Sequence, residues 1–234
     1  MATTVKPSPT TSQSQTPKLS APWYQRQQRL LVTGGIVVAV AAAAVYFVKE
    51  SASRKEQFAA RTLSQAQAAT ESGNLPQASS DLQRLISTYK GTDAAAEAVL
   101  LLNQIRLQND QAELAASNLR EFLAGHPEQQ FVVPATGLLG AALESGKHWK
   151  DAGDAYSQAA EKAGQDYLKA EYLVDAGRAY RLGGVNDKAV VAYRTVLDKY
   201  RKTPNLVEAQ LRLAELTDGK QGDVPADTAA TAAK

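Results

Sequence analysis

Four alanines, Ala78, Ala115, Ala152 and Ala189, stand 37 residues apart, and a fixed period of that length means one supersecondary unit copied along the chain. Other positions keep the phase. Four residues after each alanine comes Leu82, Leu119, Tyr156 or Tyr193, and three further on Leu85, Phe122, Ala159 or Val196. Twelve residues before each stands Ala66, Asn103, Gly140 or Gly177. Strand signals are almost absent, and apolar residues recur at helical spacing, as in Val99 and Leu102 with Leu100 and Leu107 beside them.

This pattern resembles the tetratricopeptide repeat, a helix-turn-helix unit with small residues where its two helices touch and a large side chain filling the next gap. The fourth unit carries Gly177, Tyr180, Gly184, Ala189 and Tyr193 at the family's offsets, and the third carries Leu139-Gly140, Trp149, Ala152 and Tyr156. In the first two units Ala69 and Arg106 replace the family's tyrosine, and Asn103 replaces its glycine. The resemblance implies an all-α solenoid of about four repeats. Against the family's 34-residue period the unit has three extra residues, placed by this reading in the links Tyr89–Asp93, His126–Phe131, Gly164–Tyr167 and Arg201–Asn205.

Turn chemistry agrees with the period. Each second helix follows a breaker or cap: Gly73-Asn74, Asn109-Asp110, Gly146, and Gly183-Gly184 with Asn186. Pro76 suits a first helical turn, and Pro127 and Pro204 follow second helices that must stop. Beyond Pro204, Val207, Leu211, Leu213 and Leu216 read as an amphipathic helix capping the open end of the stack.

Ahead of the repeats lies LLVTGGIVVAVAAAAVYFV, Leu30 to Val48, nineteen residues without a side chain charged at neutral pH. At about 1.5 Å per residue such a helix nearly matches the ~30 Å hydrocarbon layer of a bilayer. It has no polar stripe, and aromatic rings at Trp23-Tyr24 and Tyr46-Phe47 flank it. A cleaved signal has a shorter apolar core and a short basic leader, whereas 29 residues precede this run, so a retained anchor is expected. Lys6, Lys18, Arg26, Arg29 and Lys49 are the only side chains charged at neutral pH in the first 49 residues, which favours a cytoplasmic N-terminus and places the remainder outside the cytoplasm. No proline or glycine occurs between Ile36 and Ser72, so the anchor helix is expected to run on into the first repeat.

The expected organisation is a disordered cytoplasmic tail at 1–29, a transmembrane helix at 30–48, a helical connector at 49–58 and a repeat domain at 59–217. Its repeats cover about 59–92, 96–129, 133–166 and 170–203, followed by a cap at 205–217 and a disordered tail at 218–234. Of residues 1–22, 15 are Ser, Thr, Pro or Gln, too polar to bury surface. Residues 50–234 hold 21 basic and 24 acidic side chains, a balance that argues against nucleic acid as a partner.

Chemistry for catalysis is sparse. The absence of cysteine excludes a disulfide framework, a thiolate zinc site and a cysteine nucleophile. His126 and His148 fall in expected turns outside any metal-binding motif, and Gly140–Lys147 lacks the spacing and preceding strand of a phosphate loop. The expectation is a protein that is not an enzyme and has no cofactor, metal or catalytic residues.

What remains is a surface. In this repeat family the first helix of each unit lines a concave groove that accepts a peptide or a partner's helix. The phase carried over from the family puts Leu63, Gln67 and Thr70, then Leu100, Gln104 and Leu107, then Ala141 and Glu144, then Val174, Arg178 and Arg181 on that groove. An ordinary solvated face is the competing reading. Gly35, Ala39 and Ala43, spaced by four, offer a small-residue face for a second membrane helix, either a partner or another copy of this chain.

The whole layout resembles the single-pass ancillary subunits of the bacterial Sec translocon, most of all over Tyr89–Leu123. That resemblance implies an inner-membrane protein with a periplasmic repeat domain, whose partners are translocon subunits, emerging chains or chaperones. A periplasmic scaffold coordinating envelope or cell-division machinery is the alternative.

Overall fold

The computed structural model describes residues 23–217, with side chains described at Val32 and from Val38 onward. The terminal segments 1–22 and 218–234, read above as disordered, lie outside the described residues. Among the described residues there are nine helices and no strand: α1 (Trp23–Glu71), α2 (Leu75–Thr88), α3 (Asp93–Gln108), α4 (Ala112–Ala124), α5 (Gln129–Ser145), α6 (Trp149–Lys162), α7 (Asp166–Leu182), α8 (Asn186–Lys199) and α9 (Leu206–Thr217). The chain divides into two compact units, Met1–Ala52 and Ser53–Lys234.

In the first unit the tail assigned to 1–29 is corrected at its end. Trp23 to Arg29 is helical, because α1 begins at Trp23 immediately after Pro22 and meets no breaker before the apolar run. From Val38 to Val48 its apolar side chains are exposed, including four consecutive residues, Val45, Tyr46, Phe47 and Val48, at 57 to 70%. Among the described residues no helix is long and apolar enough to cross a membrane. Side chains at 30, 31 and 33–37 of the expected span are outside that description, so the span at 30–48 has no structural test.

In the second unit the helices alternate in a strict register. First helices end at Glu71, Gln108, Ser145 and Leu182, and second helices begin at Leu75, Ala112, Trp149 and Asn186, each 37 residues after the last. The helices pack in sequence, α2 on α3, α4 on α5, α5 on α6, α6 on α7, α7 on α8 and α8 on α9. Ala78, Ala115, Ala152 and Ala189 are all fully buried, where a larger side chain would hold the paired helices apart. The link 163–165 is three residues long, no longer than the turns inside repeats. Between the third and fourth repeats the extra length therefore lies in the first helices, 17 residues in α5 and α7 against 14 in α6 and α8, whereas the other links are longer than the turns.

Small residues face rings across each later pair. A Cβ added at Gly140 would stand 2.6 Å from the Tyr156 ring, and one at Gly177 would stand 2.6 Å from the Tyr193 ring. In the second repeat the corresponding pair is Asn103 and Leu119, both fully buried. The shorter aliphatic chain leaves space for the amide, which donates to the Val99 carbonyl at 2.8 Å and to Asn118 Oδ1 at 2.9 Å. Ala66 and Leu82 play the same parts in the first repeat.

The turns inside repeats share one conformation. Gly73, Asp110, Lys147 and Gly184 are all left-handed, with φ of 77, 57, 63 and 71°. After each, an amide reaches back to the carbonyl five residues earlier: Asn74 to Ala69, Gln111 to Arg106, His148 to Leu143 and Val185 to Tyr180, at 2.8 to 2.9 Å. These are Schellman motifs, which satisfy the carbonyls left open at a helix C-terminus. Capping of second helices is weaker than the turn residues suggest. Only Asn74 accepts a bond, from the Gln77 amide at 3.4 Å, while α4, α6 and α8 have no side-chain cap.

Two features depart from the expected pattern. Pro134 lies inside α5 on its exposed side, where the carbonyl it leaves unpaired can meet water. In α9, Ala209 and Leu213 are fully buried, but Val207 and Leu211 are 72% and 55% exposed. Helical rotation puts 209 and 213 on the face toward α8 and turns 207 and 211 outward.

The register makes two expectations about stability. Ala152→Leu overpacks a filled contact and lowers the unfolding free energy of the full chain by about 1 to 3 kcal/mol. Lys147→Gly relieves a left-handed residue that bears a Cβ and raises it by about 1 kcal/mol. Denaturant titration followed by circular dichroism reads both.

Candidate protein-binding groove

The repeat register aligns three columns on the first helices. They are Leu63, Leu100, Gly137 and Val174; Gln67, Gln104, Ala141 and Arg178; and Thr70, Leu107, Glu144 and Arg181. Their exposures differ. Gln104 is exposed, and Gln67, Thr70, Leu100, Leu107, Ala141, Glu144, Arg178 and Arg181 are part-exposed. Leu63 and Val174 are corrections: at 6% and 3% exposure they belong to the core and present nothing to a partner. Leu100 and Leu107 also lay part of their surface against the core. Of the membrane-helix residues, Ala39 and Ala43 are exposed on α1, and Gly35 lies outside the side-chain description.

Charge concentrates in the later repeats. Arg178 on α7 donates from Nε to Glu144 Oε1 and from Nη2 to Glu144 Oε2, both at 2.9 Å, so one fork grips a carboxylate of α5. Its Nη1 also meets Asp175 Oδ1 at 2.7 Å. The Tyr156 hydroxyl donates to Glu144 Oε2 at 2.9 Å, and its ring stacks on Tyr172 at 6.5 Å. Tyr172 in turn lies against Gly137, where an added Cβ would stand 2.5 Å from its ring. At the other end Gln67 donates to Glu97 at 3.1 Å.

These contacts set the charges. Burial works against ionisation of Glu144, but the hydrogen bonds and charge of Arg178, with the Tyr156 hydroxyl, prevail and hold its carboxyl below the usual range. Asp175 goes the other way, because burial outweighs its pairing with Arg178 and raises its pKa. Burial and the Glu144 charge push the Tyr156 hydroxyl up, so it remains a donor. The hydrogen bonds it donates to Glu144 and the flanking carboxylates raise Arg178 despite its burial, and it stays cationic.

Tyr156, Tyr172 and Asp175 belong to this cluster although the column phase does not select them. Asp175 is marked in the sequence only by standing three residues before Arg178. Tyr156 reaches the face from a second helix because Gly140 lets its ring pass. A cleft of about 740 Å³ lined by Ile86, Ala95, Val99, Phe122 and Phe131 opens near the inter-repeat links. Among the described residues no group of three or more His, Asp or Glu is placed to hold a metal ion. His148 pairs with Glu113 at 2.7 Å, an exposed contact between a turn and α4.

Paired helices in a fixed register, with a side-chain face repeated along them, define a helical-repeat scaffold. The chain belongs to the tetratricopeptide repeat-like domain family, which matches residues 22–218. Comparison with curated proteins gives no match. Scaffolds of this family are typically noncatalytic and bind other proteins.

The Glu144–Arg178 contact has a pH signature. Because the folded pKa of Glu144 lies below its ordinary value of 4.5, the stability it adds is complete above that value and is lost as pH falls through the depressed one. The gap in thermal midpoint between the native chain and Glu144→Gln therefore narrows as pH falls below 4.5, and is constant above it up to pH 7.

Proposed function

We propose that the chain is a membrane-anchored, noncatalytic protein-interaction module of the bacterial inner membrane. Residues 30–48 span the bilayer with the N-terminus in the cytoplasm, and the repeats in the periplasm bind partner proteins through the first-helix groove. The observation that carries this reading is the extent of the family match. Residues 22–218 take in the apolar run together with every repeat, so a single family match includes both segments.

The side chains of α1 support the anchor. Val45, Tyr46, Phe47 and Val48 cover most of the helix circumference and all are exposed, and a helix apolar on every side is stable only inside an apolar medium. Ala39 and Ala43 leave one face shallow enough for a second helix to approach. The layout supports service beside the Sec translocon, with emerging chains or periplasmic chaperones on the repeats. The alternative is a scaffold for envelope or cell-division machinery.

The chain's lack of cysteine makes the topology directly testable. A single cysteine at exposed Gln104 should react with a membrane-impermeant maleimide in intact cells with a permeabilised outer membrane. Labelling only after lysis would place the repeats in the cytoplasm and defeat the proposal. Photocrosslinkers at Ala39 and Gln104 then identify partners: translocon subunits support the first assignment, and wall synthases alone support the second.

A further inference from the structure

The third repeat contains its own example of carboxylate recognition. Tyr156, seated on Gly140, donates its hydroxyl to Glu144, and Arg178 holds the same carboxylate. One register later Tyr193 is seated on Gly177 in the same way, but Arg181 stands where the acceptor Glu144 stood. The positions of Asp175 and Arg178 become Arg212 and Glu215 on α9, and these pair with each other at 3.2 Å.

The substitution leaves two donors without an acceptor. Tyr193 is fully buried, and its hydroxyl makes no hydrogen bond. Arg181 Nε is also buried and unbonded, and among the described residues no carboxylate pairs with this guanidinium. After burial, the strongest influence on Tyr193 is the charge of Arg181, followed by Arg212 and Arg178, against the single carboxylate of Glu208. Both donors therefore sit in a positive setting, and buried donors without an acceptor are a rare and costly arrangement.

We infer that Arg181 and Tyr193 form a carboxylate subsite for an acidic side chain of a bound protein segment. The inference rests on reading the repeats as a protein-binding module and adds what part of the partner is recognised. The incoming carboxylate takes the role that Glu144 plays one repeat earlier, accepting from the tyrosine hydroxyl and from the arginine. Part-exposed Arg181 supplies the outer contact.

The test uses the full chain in lipid nanodiscs and fluorescein-labelled peptides read by anisotropy. The first probe is a hexaglutamate amide, the second a hexaglutamine amide, and the third a hexaglutamine with a free C-terminal carboxylate. The subsite requires that hexaglutamate bind, that hexaglutamine amide bind at least tenfold more weakly, and that Arg181→Gln and Tyr193→Phe each weaken hexaglutamate at least fivefold. Tyr180→Phe, whose lost hydroxyl faces Asp154, should leave binding within twofold. Variant-sensitive binding of the free-terminus peptide alone would overturn the acidic side chain as the occupant. Hexaglutamate binding that ignores both variants, or no binding, overturns the inference. Thermal melts give an independent reading: Tyr193→Phe should hold or raise the midpoint, whereas Tyr180→Phe lowers it. A Tyr193→Phe loss equal to that of Tyr180→Phe would mean the hydroxyl has an internal acceptor and would overturn it too. Crosslinks from Gln104 to a partner that persist in both variants, with peptide binding unaffected, would remove the subsite and leave the module reading intact.

Discussion

The stack depends on a steric pairing repeated at one register. At Gly140 and Gly177 the first helix has no side chain, so the rings of Tyr156 and Tyr193 can cross to it from the second helix. Where the second helix offers only Leu119, the first can carry Asn103, and where it offers Leu82 the first carries Ala66. The pair is thus conserved in combined volume across repeats and not in residue type. Close-packed interiors tolerate swaps that keep volume and resist those that do not. Each repeat buries its inner face only by stacking on its neighbours, so an error in one pair is transmitted to the next contact.

The same pairing places polar chemistry on the first-helix face. A tyrosine that crosses over a glycine delivers its hydroxyl beyond the helix, and at Tyr156 it meets Glu144 and Arg178. Packing and electrostatics are therefore coupled through the tyrosine of the third repeat, whereas in the second Leu119 carries no hydroxyl and the buried Asn103 supplies the polar contact, to Asn118. The turns add a second constraint. Four left-handed residues at equivalent positions fix the reversal between paired helices, and at Asp110 and Lys147 the fold accepts a strained side chain to keep the register.

Much of the repeat architecture was legible in the sequence, because period, small residues and large residues are all local patterns. Ala78, Ala115, Ala152 and Ala189 mark the second helices, and all four are buried. The site was less legible. Column phase alone put Leu63 and Val174 on the groove, but a small rotation of the helix about its axis decides between core and surface, and that rotation is set by tertiary packing. Pro134 within α5 was equally hidden, since its cost depends on facing solvent. The unpartnered Arg181 and Tyr193 could have been found by sliding the third repeat over the fourth, where Glu144 becomes Arg181; the sign change is plain, but its burial is not.

The volume pairing is tested most directly by moving the second repeat's solution into the fourth, in a double-mutant cycle of Gly177→Asn and Tyr193→Leu on the full chain. Each single change should be destabilising, the first by overpacking and the second by leaving a cavity. Together they should cost less than their sum by about 0.5 to 3 kcal/mol, the range expected of residues in contact. Additive costs would contradict the account, because they would mean that the glycine and the ring do not share one space.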